Sequence, residues 1–220
     1  MKFRLEWIYK TKSGSQLVLQ SDYMRLEEAL RFADDFEKTG RTKEIIFYDE
    51  MGTYWNKKEA AKLTKKVQEE PHDIILYFDG GYEPHTQRAG LGVSLYYTQN
   101  GQSYRMRRNK EITEIENNNE AEYAALQFGI YILEELGVKY QTVTLRGDSQ
   151  VVLNQLAGEW PCYEKELSKY LDRIENVAKS LKLKYTCEPL SRKNNKEAHQ
   201  LAKQALEGTA IDSHSIVSEE

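Results

Sequence analysis

Apolar and polar residues follow two different rhythms along this chain, and the change comes near residue 70. Residues 2–9 and 16–20 read as strands on either side of a Ser13-Gly14 turn. Leu26, Ala29, Leu30, Ala33 and Phe36 then recur at helical spacing until Gly40 stops the helix. Ile45 to Tyr48 predict another strand, Met51-Gly52 a turn, and Thr53 to Trp55 a short return. Residues 1–56 thus predict a small α+β domain of order ββαββ. Residues 57–69 form a charged helix carrying Lys57, Lys58, Lys62, Lys65 and Lys66, closed by Pro71, which reads as a linker over 57–71.

From Asp73 onward the apolar residues stop alternating. The unbroken run Ile74 to Phe78 suits a central strand buried on both faces. Leu91 to Tyr97 predicts a second strand, Asn100-Gly101 a turn, and Ser103 to Arg108 a third. A helix follows over about Glu120 to Leu136, stopped by Gly137, then a strand at Val143 to Leu145. Helices are expected at Ser149 to Leu156 and Glu164 to Leu181, a fifth strand at Leu183 to Glu188, and a last helix at Asn195 to Leu206. The order βββαβααβα over 72–206 predicts an α/β domain. Residues 207–220, with several Ser and Glu, are expected to be a disordered tail in which His214 is solvated.

Composition changes this picture little. A hydrophobic fraction of 40% and a charged fraction of 30% in 220 residues describe a globular chain with room for more than one core. Charges interrupt MKFRLEWIYKTK too often for a signal-peptide core, and no apolar run reaches membrane-spanning length, so the expectation is a cytoplasmic protein with no membrane partner. Cys162 and Cys187 have no metal-ligand spacing and read as free thiols. The net charge of −4 argues against a strongly basic nucleic-acid binder, but the acidic excess lies after residue 70 and includes the candidate site residues and the tail.

Those candidates are Asp79 in YFDGG, Glu122 in NNNEAEY and Asp148 in RGDSQ, each at a predicted element boundary. Carboxylates gathered from separate elements hold hard divalent cations, and paired cations cleave phosphodiesters. Each residue also has a plain structural reading: an Asp-Gly turn for Asp79, an acid favoured by the helix dipole for Glu122, and a helix N-cap for Asp148.

Taken together, YFDGG, AGLGV, NNNEAEYAAL, LRGDSQVVLNQLAGEW and RKNNKEAHQLA resemble the type 1 ribonuclease H family, in order and spacing, over about residues 73–206. The resemblance implies a ribonuclease H-like fold with a mixed five-stranded sheet flanked by helices. It also implies two-metal hydrolysis, with Mg²⁺ or Mn²⁺, of the RNA strand of RNA:DNA hybrids. It assigns Asp79, Glu122 and Asp148 as catalytic metal ligands. Gly80, Gly81, Asn118, Asn119 and Ser149 fall to substrate binding, the asparagines at the hybrid's minor groove.

The family pattern ends in N-x-x-A-D-x-L-A, whereas this chain places His199 where the fourth catalytic carboxylate stands. An imidazole there removes a negative charge and offers a nitrogen that Mg²⁺ accepts reluctantly and Mn²⁺ tolerates better. Glu197 cannot replace the acid, because two residues turn the side chain by about 200° around a helix. Three readings stay open: a hybrid-cleaving enzyme with weak or Mn²⁺-dependent activity, a hybrid or double-strand binder that no longer cuts, and another nuclease or resolvase on the same fold. Added grip is expected from Arg105, Arg107, Arg108 and Lys110 or from the N-terminal unit, whose Trp7, Tyr9, Tyr48, Tyr54 and Trp55 could stack on bases or form its core. Dimerisation through that unit is the alternative.

Overall fold

The computed structural model describes residues 2–217, without the side chains of Lys66 and Val67. The chain divides into two compact units, 1–69 and 70–220.

In unit 1, strands β1 (Lys2–Lys10), β2 (Gln16–Gln20) and β3 (Met24–Arg25) precede helix α1 (Leu26–Lys38), and β4 (Thr42–Asp49), β5 (Tyr54–Asn56) and α2 (Lys57–Glu69) follow it. The sheet is antiparallel in the order β2-β1-β4-β5, and β3 pairs with the start of β1. Alternation in β1 sends Phe3 and Leu5 inward to meet Phe47 of β4 and Ala29 and Ala33 of α1, all fully or almost fully buried. Trp7 stacks on Phe36 at 4.2 Å and Trp55 packs against the same core, whereas Tyr54 is exposed. Helix α2 is not a free linker: its charged residues mask Ala60 and Leu63, which join this core. Lys66, one of the expected lysines, has a side chain outside the described residues.

Unit 2 begins with β6 (His72–Glu83), β7 (Arg88–Gln99) and β8 (Gln102–Ile112), then α3 (Asn118–Glu135) and β9 (Thr142–Gly147). Helices α4 (Gln150–Leu156) and α5 (Lys165–Ser180), strand β10 (Lys184–Pro189), a 3-10 turn at Arg192–Asn194, helix α6 (Lys196–Leu206) and strand β11 (Asp212–Ile216) complete it. The sheet order is β10-β9-β6-β7-β8-β11, with β10, β9 and β6 parallel and the rest antiparallel. Ile74, Leu76 and Phe78 of β6 and Leu91, Val93 and Leu95 of β7 bury against Tyr123, Leu126, Ile130 and Leu133 of α3. Each such fully buried side chain contributes about 1.5–3 kcal/mol.

Helix α6 sits on strand β7. A Cβ at Gly90 would lie 2.0 Å from Ala202 O, and one at Gly92 would lie 2.1 Å from Ala198 O, so only glycine lets the helix backbone come this close.

The structure departs from the sequence expectation at two further points in this unit. Residues 212–216, expected to be disordered, form a sixth strand on β8, in which Arg108 pairs with Asp212 and the Tyr97 hydroxyl meets His214 Nε2 at 2.7 Å. His214 is therefore engaged and not merely solvated; residues 218–220 of that tail lie outside the described residues. Strand β6 also runs on past Asp79 to Glu83, so Asp79 does not end its strand.

Candidate active site

What ends beside Asp79 is the neighbouring strand. The last pairing of β6 with β9 is Tyr77 with Arg146, and β9 stops at Gly147. Beyond that point β6 has lost one flank, and the acids fill the gap. Asp79 lies on β6 and is 3% exposed, and Asp148 follows β9 directly.

Glu122 arrives from the first turns of α3, and Gly80 makes room for it. A Cβ on Gly80 would stand 2.3 Å from the carbonyl of Ala121, and the Gly80 N–H donates to Glu122 Oε2 at 3.3 Å. Asn117 caps α3 by accepting from Glu120 N at 2.9 Å, which fixes where the helix starts. One oxygen from each of Asp79, Glu122 and Asp148 lies within 4.8 Å of the other two, and among the described residues no other acids, histidines or cysteines gather this way.

This crowding is electrostatically costly. Burial, with repulsion from Asp79 and Asp148, pushes the Glu122 carboxyl up to about 9. Burial and the Asp148 charge raise Asp79 to about 6, against a lowering by the hydrogen bond from His199. Such a site favours either protons or a cation. Three oxygen donors without a thiol suit a hard divalent ion, so the residues present fit the group that the fold implies.

His199 projects from α6 to the same place. Its Nδ1 lies 3.1 Å from Asp79 Oδ2, and its Nε2 lies 3.5 Å from Arg192 Nη2. Glu197 points elsewhere, accepting from the Tyr96 hydroxyl at 2.6 Å and pairing with Arg105 at 3.6 Å. A cleft of about 330 Å³ opens over the site, lined by the three acids, His199, Gly80, Gly81, Tyr82, Asn118, Arg192 and Lys203 among others. Asn119 and Ser149 do not line it. Asn119 is exposed, and Ser149 caps α4 by accepting from Val152 N. Of the expected basic group, Arg108 pairs with Glu135 and Asp212, and Arg107 lies 4.0 Å from Glu197.

Sequence reasoning gave no role to Asn195. It is 1% exposed at the start of α6, and its Nδ2 donates to Phe78 O at 2.8 Å and to Asp148 Oδ1 at 3.3 Å. It ties the carbonyl next to Asp79 to the Asp148 carboxylate. Gly90 and Gly92, which seat α6, were visible only as a period-two pair of glycines in AGLGV, a sign of close backbone approach on one face.

Known proteins place this architecture. The chain is 43% identical over 202 residues, 92% of its length and 89% of the relative's, to YpeP, an uncharacterized protein of Bacillus subtilis (strain 168). Its structure is similar to RNase H1 of the halophilic archaeon Halobacterium salinarum NRC-1, at TM-score 0.51 and 27% identity over 61% of this chain and 98% of that one. It is also similar to LC11-RNase H1, isolated from compost by a metagenomic approach and solved in complex with an RNA/DNA hybrid, at TM-score 0.53 and 26% identity over 62% and 98% of the two chains. The model of the reverse transcriptase-like family matches residues 77–205, the stretch that carries all three acids and His199. With that match over more than half its length, and with a ribonuclease H fold in its second unit, the chain belongs to the reverse transcriptase-like family.

Proposed function

We propose that this protein is a divalent-cation-dependent nuclease of the cytoplasm that cleaves the RNA strand of RNA:DNA hybrids. The observation that carries the reading is the convergence of Asp79, Glu122 and Asp148, two of them buried, in an open cleft on a ribonuclease H fold. These three residues would hold Mg²⁺ or Mn²⁺, which when bound supplies Lewis-acid stabilisation of the phosphoryl charge and an activated water.

The remaining work falls to the chain's own side chains. Asn118 lies at the cleft, where an amide can read the 2′-hydroxyls of a wide minor groove. Arg192 and Lys203 also line the cleft and provide positive charge for the phosphate backbone. Gly80 and Gly81 line the cleft, and the side chain that Gly80 lacks would collide with Ala121, so this glycine lets α3 bring Glu122 to the site. His199 Nδ1 at 3.1 Å from Asp79 Oδ2, with Nε2 at 3.5 Å from Arg192 Nη2, sets the imidazole between the acids and the guanidinium, where it helps orient Asp79. Because an imidazole stands where the family pattern has a carboxylate, the activity is expected to be weak with Mg²⁺ and stronger with Mn²⁺.

That same residue favours the second reading, a hybrid-binding protein that has lost cleavage. A labelled RNA:DNA hybrid incubated with Mg²⁺ or Mn²⁺ decides between them, using the wild type, Asp79→Asn and His199→Asp. Cleavage by the wild type that is lost in Asp79→Asn supports the nuclease. Hybrid binding without cleavage in either metal, with cleavage restored by His199→Asp, sinks it in favour of the binder.

A further inference from the structure

Residues Ser15 to Ser21 read Ser-Gln-Leu-Val-Leu-Gln-Ser, the same in both directions. The central residues of this palindrome form β2, an outer strand of the unit 1 sheet, and every one of them is exposed. Leu17, Val18 and Leu19 are 56%, 52% and 42% exposed. An apolar outer strand with no charge and no proline is what folded chains usually avoid, because its unpaired edge recruits another strand.

The hydrogen-bond phase defines what that edge offers. β1 and β2 pair without a register shift from Glu6 with Gln20 to Lys10 with Gln16. Just beyond these ends, Ser21 N donates to Leu5 O and Thr11 N donates to Ser15 O. In an antiparallel ladder the bonded pairs recur at every second residue. Ser15, Leu17, Leu19 and Ser21 therefore direct their backbone groups to β1, and Gln16, Val18 and Gln20 turn theirs outward.

We propose that β2 is a homodimer interface, in which two copies of the chain pair antiparallel about a two-fold axis at Val18. In this register Val18 faces Val18, Gln16 faces Gln20, and Leu17 faces Leu19. Every outward N–H and C=O of the strand then meets a partner, because the three outward residues map onto themselves across the axis. The palindrome gives each side chain the same counterpart in both copies, as a two-fold interface requires. The leucine pairs fall on the face of Trp7, which stacks on Phe36 of α1, and the valine pair falls on the other face, beside Ile8. Charge agrees with the match: Lys12 lies beyond one end of β2 and Asp22 beyond the other, so antiparallel pairing brings Lys12 of each copy to the end that carries Asp22 of the other. The opposite outer strand, β5, covers only Tyr54–Asn56 and has no such symmetry, so assembly closes at two copies. This inference does not depend on the nuclease reading.

Sedimentation of the full chain across micromolar concentrations should show a mass that rises from monomer to dimer. Val18→Lys places two ammonium groups at the axis from an already exposed position, and should weaken association about tenfold. Circular dichroism checks that this variant folds. Cross-linking supplies an arm that does not rely on it. Across a bonded antiparallel pair the Cα atoms lie about 5.5 Å apart, within disulfide reach. Mild oxidation should therefore join Val18→Cys into a covalent dimer above the background set by Cys162 and Cys187 in the parent. Gln16→Cys, which faces Gln20 and not itself, should stay at background. A monomer at all concentrations, a dimer undiminished in folded Val18→Lys, or cross-linking of Gln16→Cys as efficient as that of Val18→Cys would overturn the proposal.

Discussion

Replacing Glu122 with glutamine should stabilise the metal-free protein while removing its response to metal. The carboxyl is buried between Asp79 and Asp148, and its proton leaves only near pH 9 against an ordinary 4.5. Such an acid binds its proton more tightly folded than unfolded, so its contribution to stability is full below about 4.5 and drains away as pH rises, the loss being complete above about 9. At pH 7 the solution stands about 2.5 pH steps above the ordinary value, and at ~1.4 kcal/mol per step the site costs the fold about 3–4 kcal/mol. Asp79 adds a second, smaller slope between 3.8 and about 6. Glutamine keeps an oxygen to accept from the Gly80 N–H and has nothing to ionise, so the Glu122 slope should vanish in the variant. Denaturant unfolding without divalent cations, in steps from about pH 5 to about pH 8, should therefore show Glu122→Gln gaining on the wild type as pH rises. Adding Mg²⁺ or Mn²⁺ should raise wild-type stability and leave the variant nearly unchanged. A stability gap that stays flat with pH, or a variant that is less stable than the wild type at the alkaline end, would refute the electrostatic account of this site.

Two further perturbations probe what seats the site. Gly92→Ala puts a Cβ 2.1 Å from Ala198 O and 2.5 Å from Ala202 N, so α6 must lift from β7. The expected cost is about 2 kcal/mol or more by thermal unfolding, with hybrid cleavage lost at temperatures where the variant is still folded. Asn195→Ala strips the donor from Phe78 O and Asp148, and should cost about 1–3 kcal/mol with a weaker apparent metal affinity by titration calorimetry.

The sequence shows most clearly what depends on residue type and short spacing. The strand run Ile74 to Phe78, the helix before Gly137 and the acids beside them are local signals, and each is placed within a few residues of where it is found. Features built by partners distant in the chain are hidden. Strand β11 is a run of exposed, mostly polar residues whose strand character comes only from pairing with β8, so its composition reads as a tail. Helix α2 looks like a linker because its lysines outnumber the apolar residues that anchor it, Ala60 and Leu63 among the described side chains. Asn195 has the appearance of an ordinary helix cap, yet its amide bonds a carbonyl 117 positions away. Asp79 seems to end a strand because Asp-Gly-Gly is turn chemistry, while the antiparallel pairing with β7 carries the chain through it.

The glycine seats under α6 have a consequence for how such a site can change over time. Asp79 and Asp148 stand at the sheet and Glu122 comes from α3, whereas His199 is borne by a separate helix whose height is set by Gly90 and Gly92. The same helix start carries Asn195, whose amide holds Phe78 O and the Asp148 carboxylate, so one mount sets both the acids and the side chain at 199. An exchange at 199 changes the charge and donor type presented to the cleft and, through the contact with Asp79, the balance of charge among the acids. The helix that closes the cleft over the acids is thereby also the part that sets their charge.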